Sequence, residues 1–298
     1  MSKVSIAIFG LHGFLGEPTL EAIKSGKFDS KIAYPIKAIT RKSDLKSTDK
    51  IEYVTVSEVS ANDSNLISAL KGIDVIIELT GPDPKVFSEL EKITAEIKPK
   101  LFIPSQFGTD IDQVDTYAPG FLALKSQHSA ALRKTGTKVV DIITSLFIVP
   151  GKFLYEWVGA AGITEEGINV IGDINQKFNV STLPDIGYTV LAVATYNPIS
   201  KLPDIIRIGS DTITFQDVID QYSKAHNKNL KILSTKSAEE GKKEFQEKLS
   251  SGFNLNDFLF YLQAIAAQGL DKGLYFSKLD NELVNPGESI WKWGKYQK

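Results

Sequence analysis

The sequence predicts a doubly wound α/β fold, in which a parallel sheet carries helices on both faces and is followed by a smaller, mainly C-terminal α/β lobe. In the first half, strand-like runs alternate with amphipathic helix-like runs in units of about 25 residues, which is typical of a parallel sheet. Three of these runs, at residues 4–9, 74–79 and 138–143, are almost continuously apolar. Strands buried on both faces have this pattern, whereas half-exposed antiparallel strands alternate apolar and polar residues.

The individual elements follow from the same patterns in chain order. Six strands are predicted at residues 4–9, 34–40, 51–56, 74–79, 101–103 and 138–143. Helices are predicted at residues 17–24, 65–71, 86–97 and 121–134, with Gly72 and Gly136 ending the second and the fourth. The less regular second half predicts two strand-like runs within 163–178, a strand at 205–208 and helices at 183–197, 215–226, 238–250 and 253–268.

The composition excludes several classes of protein and site. The net charge of −2 gives no overall field that would favour nucleic acid, and no apolar run reaches the roughly 18 residues that a membrane span needs. The absence of cysteine excludes disulfides, thiolate zinc sites and a cysteine nucleophile, and the three scattered histidines predict no metal site. The N-terminal residues run straight into a strand-like segment without a signal-peptide pattern, so we expect a cytoplasmic protein.

A glycine-rich loop, GLHGFLG, spans residues 10–16 between the first predicted strand and the first predicted helix. In this setting Gly10 permits a tight turn, Gly13 lets the backbone approach a pyrophosphate, and Gly16 allows the helix to pack closely on the strand. The free N–H groups at the helix start favour a bound phosphate. The loop predicts a dinucleotide-binding Rossmann domain over residues 1–150, with later segments returning to it, and a mixed substrate-side lobe over residues 151–298. A structural turn with coincidental glycines is the alternative.

The end of the second predicted strand indicates which dinucleotide is bound. An acidic residue at this position would bind the ribose 2′-hydroxyl of NAD, but here the tip carries Arg41 and Lys42, with no carboxylate before Asp44. Two cations suit a 2′-phosphate, which a guanidinium binds through two hydrogen bonds. The sequence therefore predicts NADP(H) as the cofactor, and a solvated basic turn is the alternative.

Several segments together resemble one protein family. They are the glycine-rich loop, the basic strand tip, LFIPSQFG at residues 101–108, the helix-turn-strand pattern at 62–77, the run 121–147 and LPDIG at 183–187. This combination resembles the NmrA-like, isoflavone-reductase-like branch of the atypical short-chain dehydrogenases/reductases. The resemblance covers about residues 3–200 of the chain.

The resemblance implies a set of functional residues. Gly10, Gly13 and Gly16 would hold the pyrophosphate, with Phe14 and Leu15 lining it, and Arg41 would hold the 2′-phosphate together with Lys42. Thr80 and Gly81 would border the cofactor, while Ser105, Phe107 and Phe147 would lie near the nicotinamide. Lys125 would be the active-site lysine and would also contact the cofactor. We assign His12 a phosphate contact as well, with a solvent-exposed side chain as the alternative.

The sequence departs from the family pattern at informative positions. Leu11 and His12 replace small residues in the glycine loop, and Gln106 replaces the usual glutamate. Phe121 occupies the place, four residues before Lys125, where a typical short-chain enzyme has its tyrosine proton donor. Tyr117 is a weaker candidate for that donor, since loop tyrosines are usually surface residues. For His128, three residues after Lys125, we favour a structural or surface role over contact with cofactor or substrate.

These expectations converge on an NADPH-dependent oxidoreductase that passes a hydride to a small organic carbonyl, quinone or conjugated or aromatic substrate, with Lys125 as its catalytic lysine. The alternative is an NmrA-like redox sensor that binds NADP(H) without turnover. The lack of a Y-x-x-x-K motif argues against an epimerase or dehydratase acting on a nucleotide sugar. Phe147, Phe153, Tyr155 and Trp157 are predicted to form an apolar substrate wall, with core packing as the alternative. We expect a small-molecule partner, and the oligomeric state is left open.

Overall fold

A computed structural model of the chain describes residues 3–149 and 167–296. Its main sheet has six parallel strands in the order β3-β2-β1-β4-β5-β6. These strands are β1 (Val4–Phe9), β2 (Ile32–Thr40), β3 (Ile51–Thr55), β4 (Val75–Glu78), β5 (Leu101–Ile103) and β6 (Lys138–Val139). The order reverses between β1 and β4, and in open α/β sheets ligands bind at such a reversal, outside the carboxyl ends of the strands.

Helices cover both faces of the main sheet. The helices of the first half are α1 (Gly16–Lys24), α2 (Ser64–Leu70), α3 (Pro84–Ile97), α4 (Ile111–Asp115) and α5 (Ala123–Lys134). Along β1, Ile6 and Ile8 pack in one hydrophobic cluster with α1, while Ala7 and Phe9 pack in another with α2, α3 and α5. Residues 6–9 of β1 are therefore all buried, on one face or the other, which explains the continuous apolar run and confirms the predicted fold class.

The later part of the chain both returns to the main sheet and forms a second cluster. Its helices are α6 (Leu183–Ala194), α7 (Phe215–His226), α8 (Ala238–Ser250), α9 (Phe258–Ala266) and α10 (Asn281–Val284). Helix α6 packs in the cluster of α1, and Trp291 stacks on Tyr188 of α6, which ties the C-terminal segment to the body. Phe178, Phe245 and Tyr261 belong to the second cluster. The predicted boundary at residue 150 stays a prediction.

Smaller sheets connect these parts. The remaining strands are β7 (Asp141–Ile143), β8 (Leu146–Ile148), β9 (Gly167–Ile171), β10 (Lys177–Thr182), β11 (Ile205–Arg207), β12 (Asp211–Thr214) and β13 (Lys231–Lys236). Strand β10 pairs with β8 in parallel and with β12 in antiparallel orientation, and β9 pairs with β13. Among the helices of the described residues, none is both long and apolar enough to cross a membrane.

Several predicted elements differ from the structure, and among them the helix predicted at 183–197 ends at Ala194. The run 138–143 is two strands, because β6 pairs with β5 whereas β7 pairs with β11. The helix predicted from residue 121 begins at Ala123, since Leu122 has a left-handed backbone with φ of 51°. The helix predicted at 253–268 is shorter, with a single 3₁₀ turn before α9. Strands β8, β12 and β13 were not predicted, because short or fully exposed strands carry little hydrophobic periodicity.

Candidate functional site

One large cavity lies at the carboxyl ends of β1, β2, β4 and β5, and it has a volume of about 940 Å³. Helix α9 from the second half closes one side of it with Phe258 and Leu262. Of the fourteen residues predicted from the sequence, all but Gly16 line this cavity, namely Gly10, His12, Gly13, Phe14, Leu15, Arg41, Lys42, Thr80, Gly81, Ser105, Phe107, Lys125 and Phe147. The fold thus brings together residues that are up to 137 positions apart in the sequence, from Gly10 to Phe147.

The glycine-rich loop forms a narrow cradle at the reversal of strand order. Gly10 has φ of 86°, and a Cβ there would stand 2.9 Å from the carbonyl of Leu79. A Cβ on Gly16 would stand 2.1 Å from the carbonyl oxygen of Gly10. The N–H of Gly13 donates to the same oxygen at 2.9 Å. Gly10 and Gly16 are therefore required by the packing of the loop itself, and Gly16 shapes the cradle without lining the cavity.

The start of α1 leaves its backbone donors available to the cavity. Its N-cap residue is Leu15, so no side chain caps the helix, whereas Asp83 caps α3 by accepting from two backbone N–H groups. The first N–H groups of a helix and its dipole favour an anion. A side chain at the loop glycines would fill this cradle. Because the cradle lies beneath a helix start that no side chain caps, it fits the pyrophosphate of a dinucleotide.

Arg41 and Lys42 lie exposed at the end of β2, on the rim of the cavity. Within residues 3–149 and 167–296, neither side chain forms a salt bridge. Both cations are thus available to an incoming phosphate, and this arrangement fits the additional phosphate of NADP(H).

His12 lines the cavity and is hydrogen-bonded within the protein. Its Nδ1 lies 3.1 Å from Glu17 Oε1, its Nε2 lies 2.9 Å from the hydroxyl of Tyr53, and its ring stacks on Tyr53. The side chain is only 19% exposed, so the solvent-exposed alternative is wrong. Both ring nitrogens already have partners on α1 and β3, so a phosphate contact would require His12 to leave one of them.

Lys125 reaches the cavity from the first turns of α5. Its ammonium donates to the carbonyl oxygen of Gln106 at 2.7 Å, and the Gln106 side chain donates back to the Lys125 carbonyl at the same distance. This reciprocal pair fixes α5 against the loop that follows β5. Burial lowers the pKa of Lys125 to about 8, although the negative charge of Glu78 acts in the opposite direction.

The structure adds a buried carboxylate that the sequence analysis missed. Glu78, at the end of β4, is 0% exposed. Its Oε1 accepts from the hydroxyl of Thr80 at 2.7 Å, and its Oε2 accepts from the backbone N–H of Ser105 at 3.3 Å. The available signal was the acid at position 78, between the apolar residues Ile77 and Leu79 of the run DVIIEL, since an unpaired charge is not expected inside a buried strand.

His128 is the third neighbour of Glu78. Its Nε2 lies 3.2 Å from Glu78 Oε2 and its Nδ1 lies 2.7 Å from Glu91 Oε1, while its ring stacks on Phe87. Burial opposes the charged form, but the two carboxylates outweigh it and raise the pKa of His128. The predicted structural role describes this position better than contact with the cofactor, because His128 does not line the large cavity.

Apolar side chains form the far wall of the cavity. Phe107 is 5% exposed, and Phe14 packs on Phe147 with ring centroids 5.8 Å apart. Leu122, Leu146 and the two α9 residues continue this wall. The other predicted wall residues, Phe153, Tyr155 and Trp157, lie outside the described residues.

The weaker proton-donor candidate lies elsewhere. The hydroxyl of Tyr117 donates to the carbonyl oxygen of Lys272 at 2.9 Å, and this residue does not line the cavity. Burial also raises the pKa of Tyr117, which disfavours proton release. Phe121 is fully buried against Phe245 and Tyr261. No group of three or more potential metal ligands occurs among the described residues.

A sequence model of the NmrA-like family matches residues 2–272. The chain belongs to the NmrA-like family. Among curated relatives, it is 27% identical over 248 residues to phenylcoumaran benzylic ether reductase Pyrc5 of Pyrus communis, and the match covers 77% of each chain. It is 28% identical over 246 residues to eugenol synthase 1 of Petunia hybrida, with 76% of each chain covered. The family resemblance inferred from the glycine loop and LFIPSQFG is thus confirmed.

Solved structures share the fold. A crystal structure of isoflavone reductase superposes with a TM-score of 0.65 at 21% identity, covering 88% of this chain and 87% of that one. The binary complex of leucoanthocyanidin reductase with NADPH from Vitis vinifera gives a TM-score of 0.62 at 16% identity, and the match covers 89% of this chain and 86% of that one. At such identities the likeness establishes the α/β architecture, and function has to be argued from the site.

Proposed function

We propose that this NmrA-like protein is an NADPH-dependent oxidoreductase that transfers a hydride to a small organic acceptor, namely a carbonyl, quinone or conjugated or aromatic compound. The observation that carries the proposal is that the glycine cradle and Lys125, whose pKa is low, line one cavity. The names of the similar proteins also support it. One curated relative is a reductase, and one similar solved structure is a complex of a reductase with NADPH.

The residues present suit each part of the cofactor. The backbone of Gly10 and Gly13 and the start of α1 would hold the pyrophosphate, and Arg41 with Lys42 would hold the 2′-phosphate. Thr80, Gly81, Ser105, Phe107 and Phe147 would enclose the nicotinamide end. When bound, the reduced cofactor supplies the hydride, and the protein supplies orientation and electrostatics.

Lys125 would act on the acceptor. Negative charge that develops on an acceptor oxygen requires a cation or a proton donor, and an ammonium in a water-poor cavity provides both. With a pKa of about 8, Lys125 is mostly protonated at neutral pH and yet gives up its proton more readily than an ordinary lysine. The apolar wall of Leu122, Phe147 and Leu262 would exclude water from the same space.

Two measurements test the proposal. We expect titration with NADPH and NADH, followed by protein fluorescence, to give tighter binding of NADPH. We expect a panel of aldehydes, ketones, quinones and enones to include a class that consumes NADPH. Absence of NADPH binding would overturn the proposal, and tight binding without consumption by any compound would favour the redox sensor. The domain boundary at residue 150 and the cytoplasmic location stay predictions.

A further inference from the structure

A continuous hydrogen-bonded chain crosses the protein behind the proposed catalytic lysine. A second, smaller cleft of about 230 Å³ lies between α3 and α5, lined by Pro84, Phe87, Glu91 and His128 among others. From it, contacts run from Glu91 to His128 at 2.7 Å, on to Glu78 at 3.2 Å, and from Glu78 to Thr80 at 2.7 Å. Thr80 lines the large cavity, so the chain joins the two openings.

The partners of Glu78 can all act as hydrogen-bond donors. Thr80 offers a hydroxyl, Ser105 offers a backbone N–H and His128 offers a ring N–H, so all three can donate to the two oxygens. A carboxylate that is 0% exposed is strongly unfavourable unless such donors and a counter-charge surround it. The groups facing His128 are Glu78 from β4 and Glu91 from α3, with the aromatic rings of Phe87 and Phe102 on its other sides.

We propose that Glu78 is a positioning residue whose buried carboxylate, held in place by His128, Thr80 and Ser105, stabilises the protonated form of Lys125 in the cavity. The inference deepens the proposed function and depends on it, since it assigns a purpose to the charge on Lys125. Lys125 and His128 lie one turn apart on α5 and therefore face the same direction, towards β4 and β5.

The arrangement solves a conflict between burial and charge. Burial alone favours the neutral amine of Lys125, which could not donate a proton to a reduced substrate. The fixed charge of Glu78 opposes this effect, and the loop after β5 couples the two groups, because Ser105 donates to Glu78 while the neighbouring Gln106 accepts from Lys125. His128 also pairs with the partly exposed Glu91 at the second cleft, so the network of charged groups that begins at Glu78 ends there.

The decisive experiment measures the pH at which the Lys125 amine loses its proton, in protein that holds no cofactor or substrate. The protein is labelled with limiting acetic anhydride across a pH series, and the peptide that contains Lys125 is quantified by mass spectrometry. In the Glu78→Gln variant, we expect the midpoint of Lys125 labelling to move down by about one pH unit, equivalent to a tenfold larger fraction of neutral amine below the midpoint. The Glu96→Gln variant, which removes an exposed charge from α3, is expected to keep the wild-type midpoint. An unchanged midpoint in folded Glu78→Gln would overturn the inference.

A second measurement, which leaves Glu78 in place, tests the inference even if the Glu78→Gln variant does not fold. The chain has three histidines, so the ring signals of His128 in a ¹⁵N-histidine NMR titration can be assigned by their loss in His128→Gln. We expect the His128 imidazolium to persist to a higher pH than an ordinary histidine does, and to be lost at a lower pH in Glu91→Gln. A His128 ring that loses its proton at a lower pH than an ordinary histidine would contradict the charge pairing of His128 with Glu78 and would overturn the inference. Both measurements use the cofactor-free protein, so their failure is distinct from a failure to bind or consume NADPH.

Discussion

Gly187 on α6 lies against Pro18 on α1 so closely that a Cβ at residue 187 would stand 2.2 Å from the Pro18 carbonyl oxygen. The two helices therefore touch backbone to backbone, below the glycine-rich loop from which α1 starts. The glycine of the LPDIG segment thus has a packing role: it lets a helix from the second half seat the first helix of the cofactor cradle.

Replacing Gly187 by alanine is expected to destabilise the protein by about 3 kcal/mol, because the new methyl group would force two backbones apart. Urea unfolding followed by circular dichroism measures this difference. Gly81→Ala is the matched control, since a Cβ at Gly81 meets nothing within 4 Å and the residue does not need a left-handed backbone. Equal stability of Gly187→Ala and wild type would contradict the close approach.

Much of the fold was predictable, because buried parallel strands leave a simple signature. The runs at 4–9 and 101–103 match β1 and β5 residue for residue. The split of 138–143 was not predictable, since it depends on β11, more than sixty residues later, pairing with β7. Local hydrophobic pattern carries no information about such a distant partner.

Arg41 provides a test of the predicted cofactor preference. Replacing Arg41 by alanine removes an exposed guanidinium from the cavity rim, so NADPH binding should weaken by about 10- to 100-fold while NADH binding changes little. Arg41→Asp should reverse the preference. Fluorescence titration with both dinucleotides measures these changes. Lys46→Ala, from an exposed position in the same basic segment that does not line the cavity, should leave both affinities unaltered. An equal loss for NADPH and NADH in Arg41→Ala would contradict a 2′-phosphate contact.

The site was predictable where a residue type is tied to one geometry, and unpredictable where it depends on neighbours. The cavity contains the loop glycines, Arg41 and Lys125, which spacing and resemblance had singled out. Glu78 was missed because its role depends on donors from three separate elements, and the contact of His12 with Tyr53 was not predicted because Tyr53 lies on β3. Only the folded chain brings such residues together.

Lys125 is expected to be needed for turnover but not for cofactor binding. Lys125→Met keeps much of the side-chain volume and removes the charge, so the kcat of NADPH oxidation should fall about 100-fold or more, as for the loss of a general acid. The affinity for NADPH should stay close to the wild-type value, because the pyrophosphate and 2′-phosphate contacts lie elsewhere in the cavity. Lys134→Met, from the exposed end of α5, is the control. Full activity in Lys125→Met would remove this lysine from the mechanism.

The pH dependence of turnover distinguishes a donating from an accepting lysine. Lys125 donates only while it is protonated, and its pKa is about 8, so kcat should fall as the pH rises through that value. A lysine acting as a base would give the opposite slope. The profile is measured by NADPH oxidation at saturating substrate between pH 6 and pH 10, and the Lys125→Met variant should lose this limb. A kcat that rises through pH 8 would assign Lys125 the role of a base.

His128 should make the stability of the fold depend on pH. Since its folded pKa is raised above the ordinary histidine value of about 6.5, its imidazolium stabilises the native state fully below that value, and this contribution is lost as the pH rises through the folded pKa. The free energy of unfolding of wild type minus that of His128→Gln should therefore be larger at pH 6 than at pH 9. Because Lys125 titrates near pH 8 and is coupled to Glu78, the same comparison is repeated in the Lys125→Met background, where Lys125 makes no contribution. The His226→Gln variant, on α7, tests whether removal of any histidine gives the same result, and a difference that stays constant with pH would mean that His128 is buried without its charge.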